Sequence, residues 1–406
     1  MGRMKWFRLL GLLLALGLVA AACGDSDDDG DDGGDEGSAS ASAPADTEAS
    51  DDTEAPADTE ASDDTEASAD EAPETTLDEA AATNTLDANG DGQVVFGIAA
   101  AGPRDDGAYY QAVVEAAVQI STDNGFGEPS GVDNIQSADA ATELDNLAQQ
   151  GVDVIIVGAS EIAEPLPDLT EQYADIFWYC NCGAGFPELP GLAQSLDDGS
   201  EIAYTAGYAT GLLVQENGGD SVAMIGCCEL GFEKEFELAF ALGLSAVDES
   251  IAFSYVPSGD FPFDFDNVAN ATEALNNAIA DGADAVLPYL GGAHRPIVQA
   301  AAEAGLVTMS AGASNVCDAG EELDYSIAVR FDGGDYVNAV MGDIVAGEFT
   351  EGQIRTFQVG IDEEPGAVIC DATPEQQEAM DAVYAEIASG ALAEQFGAIK
   401  GEAYAG

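Results

Sequence analysis

Acids, amides and aromatic rings recur in this sequence at one kind of place, just after short apolar runs. After residues 94–102 (VVFGIAAAG) come Arg104, Asp105, Asp106, Tyr109 and Tyr110; after 152–158 come Ser160 and Glu161; and Asn181 follows 175–180. In the second half Cys227, Glu229 and Phe232 follow 220–226, Gly291, Gly292 and His294 follow 284–290, and Arg330 with Asp332 closes 325–331. Carboxylates and amides orient a polar molecule by hydrogen bonds, and rings stack on it, so the chemistry on offer is that of holding a small ligand. Catalysis fits poorly. A Ser-His-Asp triad would depend on the single histidine, His294, and a zinc site needs more ligands. Neither Cys180-Asn181-Cys182 nor the adjacent Cys227 and Cys228 is the Cys-x-x-Cys of redox sites. No enzyme, metal or cofactor is expected.

Such residues need a scaffold that gathers strand ends. The runs at 94–102, 152–158, 175–180, 220–226, 251–256, 284–290, 306–312 and 325–331 are apolar throughout, and amphipathic helices such as 108–121, 233–247 and 265–281 fall between them. Strands of that kind form parallel sheets covered on both faces. The expected fold class is therefore α/β, with doubly wound parallel sheets whose ligands sit beyond the carboxyl ends of the strands. Residues 93–406 suit two lobes, one of roughly 93–215 with part of the C-terminal region and one of roughly 216–325.

The N-terminal region has another character. Arg3, Lys5 and Arg8 precede the apolar run 9–22, which reads as a signal peptide over residues 1–22, too short to span a bilayer comfortably. Ala20, Ala21 and Ala22 before Cys23 resemble the lipobox at which bacteria cleave and lipidate a cysteine, with Ala20 where a Leu is usual. The resemblance implies a mature chain that begins at acylated Cys23 and has the lipid bilayer as a partner. Each buried methylene contributes about 0.8 kcal/mol, so one acyl chain holds marginally and several hold stably.

From Gly24 to Gly92 there are 25 acidic residues and no Lys or Arg, so residues 23–92 read as a disordered acidic linker. A tandem repeat, DTEASDDTEAPA at 46–57 and DTEASDDTEASA at 58–69, sets its reach. At its end, DANGDGQ (87–93) has the spacing of a calcium loop, but the twelfth position is Ile98 where such a loop needs Glu, so a turn into a strand is the better reading. The net charge of the whole chain is −69, which excludes nucleic acid and anionic surfaces as partners. A coat of this kind suits salty surroundings, where screening acts over about 8 Å or less.

Six cysteines remain after Cys23, and in an exported chain they point to disulfides with fifteen possible pairings. Cys317 and Cys370 follow strands of one half and are expected to pair first. Pairing of Cys180 or Cys182 with Cys227 or Cys228 would instead bridge the lobes and restrain closure.

Several blocks, in order, resemble the basic membrane protein family, the PnrA-like substrate-binding lipoproteins of ABC transporters. DDGAYYQAV (105–113) resembles its Asp-x-x-Phe-Asn-Gln segment. IGCCELGFEKEFELAFALGL (225–244) resembles its Gly-Gly turn and the helix after it, with Lys234, Phe236, Glu237, Phe240 and Gly243 matching and Ala239 replacing a glycine. Residues 201–213, 281–305 and 325–340 are similar to further blocks, the last with Arg330 where the family has Lys. The resemblance implies two lobes of the periplasmic-binding-protein type I kind, closing on a small molecule, with nucleosides favoured, and delivering it to an ABC permease. It implies that Asp106 holds polar ligand atoms and that Tyr109 takes the stacking place of the family Phe. Arg330 either contacts ligand or neutralises Asp332. Tyr110 departs from the family Asn, and 308–318 lacks the acid that would hold ribose. A sugar or amino-acid ligand, and a receptor role for a membrane sensor, therefore stay open. The expected ligand-binding set is Asp105, Asp106, Tyr109, Tyr110, Ser160, Asn181, Glu229, Phe232, Gly291, Arg330 and Asp332.

Overall fold

The computed structural model describes residues 86–405 apart from 184–185, 261–262 and 318–322. The expected signal peptide, Cys23 and the linker up to residue 85 lie outside the described residues.

The first half runs β1 (Phe96–Ala100), α1 (Tyr109–Asp123), β2 (Ser130–Val132), α2 (Ala140–Ala148), β3 (Val154–Gly158), α3 (Leu166–Gln172), β4 (Phe177–Asn181) and β5 (Ala193–Asp197). Then come α4 (Gly199–Asn217), β6 (Ser221–Gly226), α5 (Gly231–Val247), β7 (Ala252–Pro257), α6 (Val268–Ala280), β8 (Ala285–Pro288), α7 (His294–Glu303), β9 (Val307–Thr308) and β10 (Ile327–Arg330). The chain ends with α8 (Gly333–Ala346), β11 (Ile354–Phe357), β12 (Gly366–Ile369), α9 (Pro374–Ala388) and α10 (Ala393–Ala403).

One sheet has the order β2-β1-β3-β4-β5-β11 and is parallel throughout. The other has the order β7-β6-β8-β9, also parallel, and a bridge between Met309 and Ile327 carries it on to β10. There β12 pairs antiparallel with β10, so the second sheet departs from the expected all-parallel arrangement at its edge. Both sheets begin with the same winding, and each therefore has a switch point between its first and third strands, where connections leave in opposite directions and a crevice opens. The central strands β1 and β3 are buried at every residue, whereas the edge strand β7 alternates between exposed and half-buried positions.

The chain passes between the sheets three times, at 197–199, 330–333 and 357–366. The first passage lies before α4, whose residues pack with Phe236, Phe240 and Leu244 of α5 in the core of the second sheet. Residues 199–215, expected with the first lobe, therefore sit with the second, as do β12 and the helices α9 and α10. The sequence cue failed because α4 is buried over much of its surface and carries no amphipathic stripe to show its partner. Its Gly207 and Gly243 of α5 let the two backbones touch: a Cβ on Gly207 would collide with the Phe240 carbonyl oxygen, and one on Gly243 with that of Tyr204.

The folded region begins earlier than residue 93. Leu86 is buried beside Val94 and Phe96, and the amides of Ala88 and Asn89 donate to Asp153 Oδ1. Asp87 accepts from the amides of Gly90 and Gly92, which closes 87–92 as a turn into β1.

Cys317 pairs with Cys370, their Cα atoms 5.1 Å apart. The other four cysteines form local pairs, Cys180 with Cys182 and Cys227 with Cys228. The lobe-bridging alternative is replaced by these pairs, so no disulfide among the described residues ties one sheet to the other. No described helix is long and apolar enough to cross a membrane.

Candidate functional site

A cavity of about 170 Å³ opens where the carboxyl ends of the two sheets face each other. From the first sheet it takes Asp106, Tyr109 and Tyr110 after β1, Ser160 and Glu161 after β3, Asn181 at the end of β4 and Asp197 at the end of β5. From the second it takes Phe232, Glu235 and Phe236 of α5, Tyr289 and Gly291 after β8, and Phe331 after β10. Phe265 and Tyr404 complete it. Ala159, at its rim, holds a φ of 144°, a strained value for a residue with a Cβ and of the kind that gathers at binding sites.

The rings form a continuous wall. Phe236 and Tyr289 have centroids 4.9 Å apart, Tyr289 stacks on Phe331 at 5.5 Å, and Phe232 stacks on Phe265 at 6.3 Å. Across from them, Tyr109 and Tyr110 meet edge to face at 5.5 Å. Tyr109 is fixed by a relay: Asn181 Nδ2 donates to its hydroxyl at 2.8 Å, Ser195 Oγ donates to Asn181 Oδ1 at 3.2 Å, and Tyr179 lies 2.7 Å from Ser195 Oγ. Buried polar groups held this way have little rotamer freedom to lose when a ligand arrives.

Three acids of the cavity differ in how they are satisfied. The Asp106 carboxylate accepts from the amides of Ala108, Tyr110 and Gln111, so its oxygens already serve the first turn of α1. Burial nonetheless pushes its pKa up, with the nearby Asp266 adding to the effect. Glu161 accepts from the Tyr110 hydroxyl at 3.1 Å through Oε1, while its buried Oε2 has no donor; burial raises its pKa. Asp197, half-buried, is pushed up to about 6, first by loss of water and then by Asp198 and Glu235, against the hydroxyl of Tyr336. A fourth acid, Glu235, is buried and accepts from the amide and hydroxyl of Ser200 at the start of α4.

Seven of the eleven expected residues meet in this cavity: Asp106, Tyr109, Tyr110, Ser160, Asn181, Phe232 and Gly291. Gly291 sits where a Cβ would lie 3.0 Å from Asp266 Oδ1. The other four stand elsewhere. Asp105 is exposed beside the inward-turned Asp106. Glu229 is exposed on the turn after β6, with a φ of 57°. Arg330 points to the other side of β10, toward the Pro365 carbonyl oxygen at 3.4 Å, because successive strand residues face opposite ways; the next residue, Phe331, enters the cavity in its place. Asp332 caps α8, accepting from Gly334 and Asp335, also accepts from Ser314, and lines a separate cavity of about 220 Å³. It forms no ion pair with Arg330, which does not line the cavity.

His294 is fully buried between the Pro288 carbonyl oxygen and the Tyr325 hydroxyl, and burial holds its pKa down to about 4, so the imidazole is neutral and structural. Sequence reasoning missed Asp197, because the buried polar residues of AQSLD disguise β5. Tyr404 carried no local signal at all.

Residues 93–364 match a family described as ABC transporter substrate-binding protein PnrA-like. A search of curated protein sequences finds no match. Among solved structures, a solute-binding protein of an ABC transporter system from Conexibacter woesei is 20% identical, with a TM-score of 0.57 over 74% of this chain and 97% of that one. A solute-binding protein of an ABC transporter system from Aeropyrum pernix is 13% identical, with a TM-score of 0.60 over 76% and 99%. A transcriptional activator of the comK gene from Bacillus halodurans is 19% identical, with a TM-score of 0.57 over 73% and 98%. At these identities the likeness concerns the fold alone.

Proposed function

Since the chain belongs to the PnrA-like family of ABC transporter substrate-binding proteins, we propose that its cavity captures one small polar ligand between the two sheets and that a lipid-anchored chain hands it to a membrane permease. The family is extracytoplasmic and binds solutes rather than transforming them, and its members work with a permease. The observation that carries the reading is the position of the cavity: both sheets aim the loops of their switch points at it, and rings and carboxylates from both line it. Three unbridged passages between the sheets leave the two halves free to open and close about the ligand.

A purine nucleoside is the ligand that the family resemblance implies. Tyr109 supports it, since its ring lines the cavity in the place of the family Phe. Against it, Ala311 is the residue that lines the cavity after β9, where an acid would hold ribose. Thermal-shift measurements on the full-length chain with nucleosides, sugars, amino acids and amines test the reading. A ligand at a hundred times its dissociation constant stabilises by about 2.7 kcal/mol, so binding raises the melting temperature measurably. No shift with any class at millimolar concentration would sink the binding-protein reading.

A further inference from the structure

The described chain holds six cations, and none of them lines the cavity. Arg104 pairs with Asp133, Lys234 with Glu237, Arg355 with Asp362 and Lys400 with Asp198, while Arg330 faces Pro365. Arg295 packs against Gly107, on the wall of the second cavity. None of the described ion pairs serves the four acids that line the first cavity, Asp106, Glu161, Asp197 and Glu235. The fields of Glu161 and Asp197 both reach the hydroxyls of Tyr109 and Tyr289, so these two acids act on the same space. Burial without a cation raises the pKa of each of the two.

The rings supply the second half of the argument. The faces of Phe and Tyr carry the negative end of a quadrupole, and a wall built from several of them attracts a cation once water is excluded. The wall here is continuous from Phe236 through Tyr289 to Phe331, with Tyr109 and Tyr110 on the other side. A neutral polyol gains hydrogen bonds from such a site but leaves its charge uncompensated, and an anion is repelled by it.

We propose that the cavity selects an organic cation, an ammonium or guanidinium group seated among the rings of Tyr109, Phe236, Tyr289 and Phe331 beside the carboxylates of Glu161 and Asp197. This rests on the reading of the cavity as the ligand site. The charge of the ligand completes a site whose electrostatics the protein leaves open, and it excludes phosphorylated and carboxylate-only solutes.

The test is calorimetry on the full-length chain with two matched pairs: choline against its neutral isostere 3,3-dimethylbutan-1-ol, and butylguanidinium against butylurea. Adenosine, arabinose and a neutral amino acid serve as further probes. The expected result is that at least one cation binds tenfold or more tighter than its neutral partner. Glu161→Gln and Asp197→Asn, each shown by circular dichroism to keep the fold, should weaken the cation more than its neutral partner and so reduce that preference severalfold. Equal affinities within both pairs, or binding of adenosine, arabinose or the neutral amino acid with neither cation, overturns the inference and leaves the binding-protein reading standing. Preference for a cation that survives in both variants also overturns it. Failure of every probe overturns the broader reading instead.

Discussion

Tyr110 donates its hydroxyl to Glu161 Oε1 at 3.1 Å, and this bond ties the segment after β1 to the turn after β3 across the switch point of the first sheet. The donor serves one oxygen of a carboxylate whose other oxygen is buried without one. Removing it leaves a buried charge bare, which costs about 1 to 3 kcal/mol or more. Tyr110→Phe should therefore lower the stability of the free protein by that order in urea denaturation, with the loss larger at pH 8 than at an acidic pH, since burial raises the pKa of Glu161 and its protonation relieves the loss. A variant as stable as the parent at both pH values would show that the bond carries little weight.

Three carboxylates are raised chiefly by burial: Asp332 to about 7, Glu201 to about 7 and Asp197 to about 6. A carboxyl whose folded pKa lies above its unfolded one favours the folded state while protonated. That contribution is complete below about pH 4 and is lost as the pH rises through 6 to 7. Asp332→Asn, with its amide oxygen in the place of Oδ1, keeps the acceptor for the amides of Gly334 and Asp335, gives up that for Ser314, and removes the buried charge. A tenfold change in proton affinity corresponds to about 1.4 kcal/mol, so the variant should melt higher than the parent at pH 8 and nearly with it at pH 5. The same melting difference at both values would count against the assignment.

The close approach of α4 and α5 makes a sharper steric prediction. A methyl group on Gly243 has the backbone of Tyr204 and Tyr208 in its way, and neither can move without the helix it belongs to. Gly243→Ala should destabilise by about 1 to 3 kcal/mol, against the helix propensity that would favour it. Gly342→Ala, with nothing within 4 Å of the added Cβ, is the control and should be neutral or mildly stabilising. Equal stabilities for the two in urea would refute the packing.

The turn before β1 decides where a soluble fragment must begin. A fragment that starts at Gln93 lacks Leu86 and the amides that satisfy the fully buried Asp153. It should melt several degrees below one that starts at Thr76, and Leu86→Ala in the longer fragment should reproduce much of the loss, about 2 to 4 kcal/mol for a buried Leu. Identical melting of the two fragments would make the turn ornamental.

Lipidation at Cys23 is tested by metabolic labelling. Cys23→Ser should abolish incorporation of labelled fatty acid and leave the chain either uncleaved or released from the membrane. Undiminished label in the variant would place the acyl chain elsewhere and overturn the lipobox reading.

Local pattern was enough to make the class of fold and the address of the site legible in the sequence. Runs such as VIIVG in β3 are buried on both faces because the strand lies mid-sheet, and residues just past such runs are carried to the crevice by the winding itself. Tyr109, Tyr110, Asn181 and Phe232 were found that way. Orientation was not local. Arg330 and Phe331 are adjacent, and only the pairing of β10 with β12 decides which of them faces the cavity. Asp197 stood hidden in β5, where buried Gln194 and Ser195, which donate to the Pro187 carbonyl oxygen and to Asn181, break the apolar pattern. Tyr404 and Glu235 reach the site because α10 packs on α5, a contact across more than 150 residues that no periodicity records. The composition dictated an acidic chain with few cations; only the tertiary structure decided that all six beyond the linker would stand away from the cavity, four of them where packing brings an acid within reach.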